Sequence, residues 1–250
     1  MINTAQNVTQ AYIQKKTIAA FAYFILFIIA CIVGWRIIIT SPKVAKTPAP
    51  LRASLELNEF IFSHFYSNQK ISKQYAKNLA ATNVRVNGSY GLANSADTAN
   101  WHLQVIKQAG DTLILTLADL QALPKTEVIF DFKCIEGWSQ ITHWGGVRFS
   151  DFASKYGLQA ETMQAYAGLQ TPDSNYYVGI DMPSMLHPQT LLCYQMNGKP
   201  LPLNQGYPLR LIIPVKYGIK HLKRIGSISF SNQKPKDYWY ELGYDYYGGL

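Results

Sequence analysis

The feature that most constrains this chain is an apolar run at residues 17–35, which contains no charged side chain. About 20 apolar residues are enough for a helix to cross a bilayer, so we predict a transmembrane helix over residues 17–39. The run is long for the core of a signal peptide, and no small-x-small cleavage site follows it closely. We therefore expect an uncleaved anchor, with Tyr23 and Trp35 at the membrane interfaces. The alternative is a buried helix of a soluble domain.

The rest of the chain divides around this run. We expect an irregular tail over residues 1–16, a linker with an amphipathic helix over 40–80, and one domain over 81–250. Pro42, Pro48 and Pro50 indicate the linker. Ser54 is predicted to cap a helix that ends near Phe65 and that packs on the domain or lies along the membrane surface.

Composition narrows the class of the domain. Hydrophobic residues make up 48% of the chain and charged residues only 15%, which excludes a disordered protein. The three cysteines lie far apart, so there is no disulfide framework, zinc ribbon or covalently attached haem. The net charge of +8 suits an anionic partner. No GxGxxG or GxxxxGK[ST] motif occurs, so neither dinucleotide binding nor a P-loop is supported.

From residue 83 onward, short alternating segments separated by Pro and Gly predict a β-rich α+β domain without a βαβ rhythm. Thr116 and Asp119 form a candidate capping box for a helix over 117–123. Ser150 is predicted to cap a helix over 151–156 that Gly157 ends. The strands are expected over residues 84–88, 101–105, 128–133, 176–180, 190–196, 209–213 and 225–230.

One of these strands ends in a thiol. Residues 128–133 alternate in character, Cys134 follows them, and Gly137 breaks the pattern. A cysteine at this place can point into a cavity, or it can be a small buried hydrophobe. Paired with one of the five histidines it would also serve as the nucleophile of a hydrolase, but no spacing favours a particular histidine.

A second candidate site is a basic cluster around Gly218. With charge and backbone N–H groups it can hold a phosphate, although a solvated or lipid-facing basic surface is the alternative. The cluster consists of Lys216, Lys220, His221, Lys223 and Arg224. No nucleic-acid-binding module is visible, so we expect no nucleic-acid partner. The loop 181–188 has the prolines of a rigid turn, and His187 in it suits a structural hydrogen bond as well as a functional role.

Several blocks together resemble one family. They are FKCIEGWS at 132–139, WGGV at 144–147, LHPQT at 186–190, GKPLP at 198–202, PLRLIIP at 208–214 and KYGIK at 216–220. In order and spacing they are similar to the sulfite oxidase superfamily, and most of all to the bacterial branch of protein methionine-sulfoxide reductase catalytic subunits. The resemblance covers roughly residues 83–240 and implies a sulfite-oxidase-type molybdopterin-binding domain.

The resemblance implies a molybdenum–molybdopterin cofactor (Mo-molybdopterin), with Cys134 as the catalytic residue and the single protein thiolate on the metal. Soft sulfur suits a thiophilic metal. Charge-assisted contacts would hold the buried phosphate of the pterin. The implied cofactor contacts are Cys134, Arg210, His221, Leu222, Lys223, Gln205, Asn83, Arg85, Lys216 and Lys220.

Four features depart from the family pattern. Gln205 stands where the branch has asparagine, and Thr162 and Thr171 compete for the family's threonine. The segment after Cys134 lacks the arginines of sulfite oxidases, which makes sulfite a poor substrate, and Arg148 is the residue that would partly substitute. The chain ends soon after Trp239, without room for a C-terminal dimerisation domain, so we expect a monomeric catalytic unit.

The implied activity is a two-electron redox step or oxygen-atom transfer, such as sulfoxide or N-oxide reduction, on a small-molecule or protein substrate. The chain has no haem or iron–sulfur motif, so electrons would come through a membrane b-type cytochrome or the quinone pool. The alternative is a non-catalytic binding or assembly module that retains the fold.

The expected location is the inner membrane, crossed once. Lys15 and Lys16 precede the apolar run and four basic residues follow it, a balance that favours a cytoplasmic domain. The twin-arginine export signal of periplasmic relatives is missing, since Lys15 and Lys16 stand in its place. The anchor and the expected electron partner nevertheless favour the periplasmic face over the cytoplasm.

Overall fold

The computed structural model describes residues 10–65, 70–86, 88–92, 98 and 100–249, which form two compact units, Met1–Ser54 and Leu55–Leu250. The first unit contains helix α1 (Gln10–Thr40), an antiparallel hairpin of strands β1 (Lys43–Val44) and β2 (Thr47–Pro48), and the start of helix α2 (Ala49–Phe65). Helix α2 continues into the second unit.

Helix α1 has no buried residue, and within the described ranges it is the one helix long and apolar enough to cross a membrane. Its length and composition fit an anchor or a signal sequence. Residues 10–16, which we expected to be irregular, are already helical. The expectation for residues 1–9 lies outside the described residues.

The predicted linker is more ordered than its proline content suggested. Arg52 is buried, and its Nη2 donates to Ala45 O and to Thr47 Oγ1, both at 3.1 Å, which closes the β1–β2 hairpin. Helix α2 begins at Ala49 with Pro50 in its first turn, where a proline needs no N–H partner. Ser54 therefore lies inside the helix, donating to Pro50 O at 3.1 Å, and the prediction that it caps the helix was wrong.

The second unit is built on two five-stranded sheets. The first has the order β10-β9-β6-β5, with β11 also paired to β9, and the second has the order β4-β3-β12-β7-β8. All pairs are antiparallel except β12 with β3. The strands are β3 (Leu103–Ile106), β4 (Thr112–Leu115), β5 (Thr126–Lys133), β6 (Ser139–Arg148), β7 (Tyr166–Gln170), β8 (Tyr177–Asp181), β9 (Leu191–Met196), β10 (Lys199–Pro200), β11 (Arg210–Ile212) and β12 (Ser227–Ser231).

Short helices connect the strands, and this mixture confirms the predicted α+β class. They are α3 (Leu117–Gln121), α4 (Phe149–Lys155), α5 (Gln159–Thr162), α6 (Met182–Met185) and α7 (Tyr238–Glu241). The capping box of Thr116 and Asp119 is confirmed. Helix α4 starts one residue before Ser150, with Arg148 as N-cap and no side-chain cap bond, so the capping role predicted for Ser150 was wrong.

Strand β5 shows why the alternation of residues 128–133 matters. Val128, Phe130, Phe132 and Cys134 all belong to one small apolar core on one side of the first sheet. Leu192 and Leu211, from β9 and β11, point to the larger core on the opposite side. Because side chains alternate across a strand, Cys134 continues the inward-facing row of β5 into the turn that follows.

Candidate functional site

Cys134 begins the tight turn between β5 and β6. Its N–H donates to Trp138 O at 2.9 Å, and Gly137 N–H donates back to Cys134 O at 3.0 Å. Gly137 has a φ of 87°, which a glycine adopts without strain. Cys134 is only 5% exposed, and burial, the largest influence, raises the pKa of its thiol; the charge of Glu136 raises it further and that of Arg85 lowers it.

A cleft of about 280 Å³ opens beside Cys134. The fold brings to it the thiol, part of the basic cluster and a wall of aromatic rings from distant parts of the chain. The lining residues are Gly88, Tyr90, Cys134, Ile135, Glu136, Tyr176, Gly218, Ile219, His221, Lys223, Trp239 and Tyr244.

Arg210 lies next to this cleft and is fully buried in β11. Its Nη1 donates to Gln205 O at 3.1 Å and to Gln205 Oε1 at 2.9 Å, and its guanidinium lies 4.5 Å from the centre of the Trp144 ring. Nε and Nη2 are buried with no hydrogen-bond partner among the described residues. Burial lowers the pKa of Arg210 to about 10, so the side chain remains a cation at neutral pH.

Lys223 is a second buried basic residue, and an isolated backbone bridge pairs it with Arg210. Its Nζ donates to Gly88 O at 2.8 Å and to Asn204 O at 3.3 Å. Burial, helped by the charge of Arg210, lowers the pKa of Lys223 to about 7, while the Cys134 thiol acts in the opposite direction.

The charge balance here favours an anionic ligand. Among the described residues no carboxylate forms an ion pair with Arg210. An uncompensated buried charge costs several kcal/mol unless a partner satisfies it. The two open donors of Arg210 match the oxygen atoms of a phosphate group.

His221 is buried in the same region, with its ring 6.1 Å from that of Phe130 and 4.8 Å from that of Phe132. Its Nε2 is 3.1 Å from Lys216 O, and burial lowers its pKa to about 3, so the ring is neutral. Across the described residues no histidine is hydrogen-bonded to the Cys134 thiol. The hydrolase alternative therefore finds no nucleophile–base pair in this geometry.

Lys216 and Lys220 are held away from the lining of the cleft. Lys216 Nζ lies 2.7 Å from Asp181 Oδ1, and Lys220 Nζ binds Asp237 Oδ2 and Gly179 O. Both lysines are about 1% exposed. The ion pairs with Asp181 and Asp237 compensate the charges of the two lysines. The cofactor contacts that the sequence predicts for Lys216 and Lys220 remain predictions.

Arg85 and Gln205 lie along a narrower cleft that also contains Arg210, Trp138 and Trp144. The Arg85 guanidinium is 4.8 Å from the centre of the Trp138 ring. Gln205 Nε2 donates to Val84 O at 3.2 Å and to Arg85 O at 3.4 Å. Residues 84–86 and 88 form no strand, contrary to our prediction. The side chains of Gln140, Gln205 and Lys223, and not a neighbouring strand, form the hydrogen bonds with their backbone.

The remaining predicted residues are placed as follows. Asn83 is exposed, and its backbone O accepts from Gln140 Nε2 at 3.2 Å. Leu222 is fully buried, and its O accepts from Leu211 N–H at 2.9 Å. Thr162 Oγ1 donates to Gln159 O, whereas Thr171 is buried and its Oγ1 donates to Asp173 Oδ1 at 2.6 Å.

Thr171 also lies against the segment that carries Tyr90. Gly91 has a φ of 73°, and a Cβ at this position would lie 2.4 Å from Thr171 Cγ2. This close approach places Tyr90 beside Tyr176 and Trp239 in the cleft. Tyr90 and Trp239 were not predicted as site residues, because no local pattern brings residues so far apart in sequence to one cleft.

Arg148 does not take the place of the missing arginines. It is exposed at the end of β6, while Cys134 lies beyond the opposite end of the β5–β6 hairpin. The separation is about 30 Å along the strands. The suggestion that Arg148 partly substitutes for them was therefore wrong.

The family model for the oxidoreductase molybdopterin binding domain matches residues 90–239. The putative protein-methionine-sulfoxide reductase subunit YedZ1 of Azospira oryzae is 32% identical over 80% of this chain and 76% of its own length. The protein-methionine-sulfoxide reductase catalytic subunit MsrP of Campylobacter jejuni is 30% identical over 63% of this chain. This chain spans 58% of that relative's length.

A solved structure shares the fold. The sulfane dehydrogenase SoxCD of Paracoccus pantotrophus aligns with a TM-score of 0.51 and 19% identity, over 57% of this chain and 41% of its own. At this identity the likeness concerns the fold alone.

The fold and the family match define a class: enzymes that bind molybdopterin and carry out redox chemistry with it. The chain belongs to the oxidoreductase molybdopterin binding domain family, in the branch whose members are similar to MsrP. This confirms the family and the enzyme class that the sequence motifs predicted.

The residues of this chain fit the cofactor. The orphaned Nε and Nη2 atoms of Arg210 require an acceptor that the described protein residues do not supply. Lys223, whose lowered pKa of about 7 leaves it partly protonated at neutral pH, adds a second basic side chain, and Cys134 provides the soft donor that a thiophilic metal prefers.

Proposed function

We propose that this chain is a molybdenum–molybdopterin reductase of sulfoxides, acting on methionine sulfoxide in peptides or proteins. The observation that carries the proposal is the placement of the Cys134 thiol in one cleft with Lys223, which a backbone bridge pairs with Arg210, whose Nε and Nη2 have no acceptor among the described residues. The names of the MsrP-like relatives support the choice of substrate.

In this proposal Cys134 Sγ binds the metal, and Arg210 and Lys223 bind the phosphate of the pterin. Gln205 orients Arg210, while the backbone at His221 and Leu222 and the segment of Asn83 and Arg85 border the pterin. The bound group supplies two-electron oxygen-atom transfer, and the protein supplies binding, orientation and electrostatics. We assign Lys216 and Lys220 to structural ion pairs with Asp181 and Asp237.

The walls of the cleft favour an uncharged methyl sulfoxide side chain over a small oxyanion. Tyr90, Trp239 and Tyr244 offer aromatic faces and edges, which contact sulfur favourably. Glu136 places a carboxylate in the lining, and its charge repels an anion such as sulfite. An S-methyl side chain presented on a peptide fits both properties.

We further propose that α1 anchors the chain in the inner membrane, with the domain on the periplasmic face. No group of three or more His, Cys, Asp or Glu side chains with metal-binding geometry occurs within the described ranges. In this proposal a b-type cytochrome of the membrane or the quinone pool supplies the electrons. The word "subunit" in the relatives' names agrees with such a partner.

The test uses the full chain, produced in a host that makes molybdopterin and purified in detergent. Molybdenum and pterin are quantified, and turnover is assayed with a peptide containing methionine sulfoxide. We expect about one molybdenum per chain in the wild type. Cys134→Ala should lose turnover and molybdenum while keeping pterin, because Arg210 and Lys223 are intact.

The matched control is Cys193→Ala, since Cys193 is also buried but does not line the cleft, and its Sγ donates to Gln195 O. It should keep both metal and turnover. A well-folded wild type without molybdenum or pterin would overturn the proposal and support the alternative, a non-catalytic binding or assembly module.

A further inference from the structure

Helix α2 carries a dense group of exposed apolar side chains. Between residues 57 and 65 the helix exposes Leu57, Phe60, Ile61, Phe62 and Phe65, with Phe65 72% exposed. Elsewhere in the described part of the second unit, exposed large hydrophobic residues are scattered. Contiguous exposed apolar patches mark surfaces that contact a partner or a membrane.

Four of these five side chains lie on one side of the helix, which also carries His64, and Phe62 falls outside it. At 3.6 residues per turn, Leu57, Phe60, Ile61 and Phe65 fall within an arc of about 140°. The polar residues Glu56, Glu59 and Ser63 fall on the opposite side, within about 60°. The segment is therefore amphipathic, in contrast to α1, which is apolar all round.

The polar side of α2 faces the catalytic domain. Glu59 Oε2 lies 2.6 Å from Lys234 Nζ, and Glu59 retains only 14% of its side-chain exposure. Leu55, one turn before Glu59, is also partly buried. Because the domain contacts α2 through Glu59, while Glu56 and Ser63 on the same side stay exposed, the exposed apolar side of α2 is turned away from the domain.

The sequence next to α2 indicates what covers this apolar side. Helix α1, the membrane-span candidate, ends at Thr40, and only eight residues separate it from α2. A chain that leaves a bilayer there reaches α2 while still close to the lipid surface. A one-sided apolar helix beside a spanning helix has the character of a helix that lies in the membrane interface.

We propose that residues 57–65 of α2 lie in the plane of the membrane, with Leu57, Phe60, Ile61 and Phe65 inserted among the lipid acyl chains. The Glu59–Lys234 ion pair then holds the molybdopterin-binding domain against the lipid surface. This inference rests on the anchoring by α1 that is part of the proposed function.

The experiment places the photoreactive residue p-benzoylphenylalanine in the full chain, reconstituted in vesicles of phosphatidylethanolamine and phosphatidylglycerol. The probe replaces Phe60 or Phe65 on the apolar side, Glu56 on the polar side, or Phe24 within α1. All four positions are exposed, and three are already aromatic, so folding is preserved. After irradiation, mass spectrometry measures the gain of one phospholipid per chain.

We expect the phospholipid mass gain at Phe60, Phe65 and Phe24, and none at Glu56. A gain at Phe24 without one at Phe60 and Phe65 would overturn the placement of α2 and leave the anchor intact. The absence of a gain at Phe24 as well would overturn the anchoring on which the inference rests. A protein–protein adduct at Phe60 in place of the lipid adduct would show that a second copy of the chain covers α2, contrary to the proposal.

Discussion

Arg210 and Gln205 are joined by two hydrogen bonds, from one guanidinium nitrogen to the backbone O and to the side-chain Oε1 of the glutamine, at 3.1 and 2.9 Å. The same glutamine amide donates to Val84 O at 3.2 Å. Gln205 therefore orients the Arg210 guanidinium and links it by hydrogen bonds to the segment around Val84, which we expect to border the pterin.

Replacing Gln205 with alanine removes one acceptor from a buried cation. We expect Gln205→Ala to lower the free energy of unfolding by about 1–3 kcal/mol, because the buried donor is left without that partner. Guanidinium unfolding of the full chain in detergent measures the loss. The control is Gln195→Ala, whose amide accepts from the exposed Lys125 at 3.2 Å and should cost less than about 0.5 kcal/mol. Equal losses in the two variants would contradict the role of Gln205.

Replacing Arg210 with methionine should affect stability and cofactor binding differently. Without cofactor the guanidinium is a buried charge with two unsatisfied nitrogens, so an apolar side chain of similar length should leave the free energy of unfolding unchanged or raise it by about 1–4 kcal/mol. The same variant should lose bound pterin, measured by fluorescence of the oxidised extract.

Arg224→Met is the matched control for this prediction, because Arg224 is also buried and its Nε donates to Tyr207 O at 3.1 Å. It should retain pterin. Retention of pterin by Arg210→Met would show that the arginine does not hold the cofactor.

The sequence predicted much of the fold where local chemistry decides structure. The alternation of residues 128–133 and the capping box of Thr116 and Asp119 both appear as expected. Strand β6 was not predicted, because Gly145 and Gly146 interrupt its pattern and most of its side chains are buried. Gly146 lies at a shift in register, where a Cβ would be 2.2 Å from Leu192 O. Close contact with the neighbouring strand, and not strand propensity, therefore explains why a glycine stands at this position.

The candidate site was predictable only as a set of residue types. Motifs indicated Cys134, Arg210 and Lys223, and the fold gathers them around neighbouring clefts. The basic cluster looked uniform in sequence, yet Lys216 and Lys220 bind carboxylates from distant segments. These ion pairs join residues that are far apart in the sequence, so no local sequence pattern predicts them.

The Lys216–Asp181 ion pair should give the protein a specific pH dependence. Burial lowers the pKa of Lys216 to about 8, so between pH 8 and about 10 the unfolded chain binds more protons than the folded one at this site. Lys216 therefore makes the free energy of unfolding rise with pH in this window, by at most about 1.4 kcal/mol per pH unit.

The double variant Lys216→Met, Asp181→Asn removes the titrating pair without leaving a lone charge. We expect its unfolding free energy, relative to that of the wild type, to fall steadily as pH rises from 8 to 10. Unfolding curves at several pH values in this range check the slope. A constant difference between the two proteins would contradict the lowered pKa of Lys216.

Trp239 offers a test of how the cleft selects its substrate. Its ring lines the cleft, and its Nε1 donates to Tyr176 Oη at 3.0 Å. Sulfur–aromatic contacts contribute about 0.3–1.5 kcal/mol, so Trp239→Leu should raise KM for a methionine-sulfoxide peptide roughly two- to tenfold. Because this contact is made equally in the ground and transition states, kcat should change little.

Trp239→Phe separates the ring from its hydrogen bond, since phenylalanine keeps an aromatic face but cannot donate to Tyr176. We expect it to retain most of the affinity that Trp239→Leu loses, as measured by steady-state kinetics of cofactor-loaded enzyme. If the phenylalanine and leucine variants raise KM equally, the hydrogen bond to Tyr176 positions the wall of the cleft, and the aromatic contact with sulfur is not what selects the substrate.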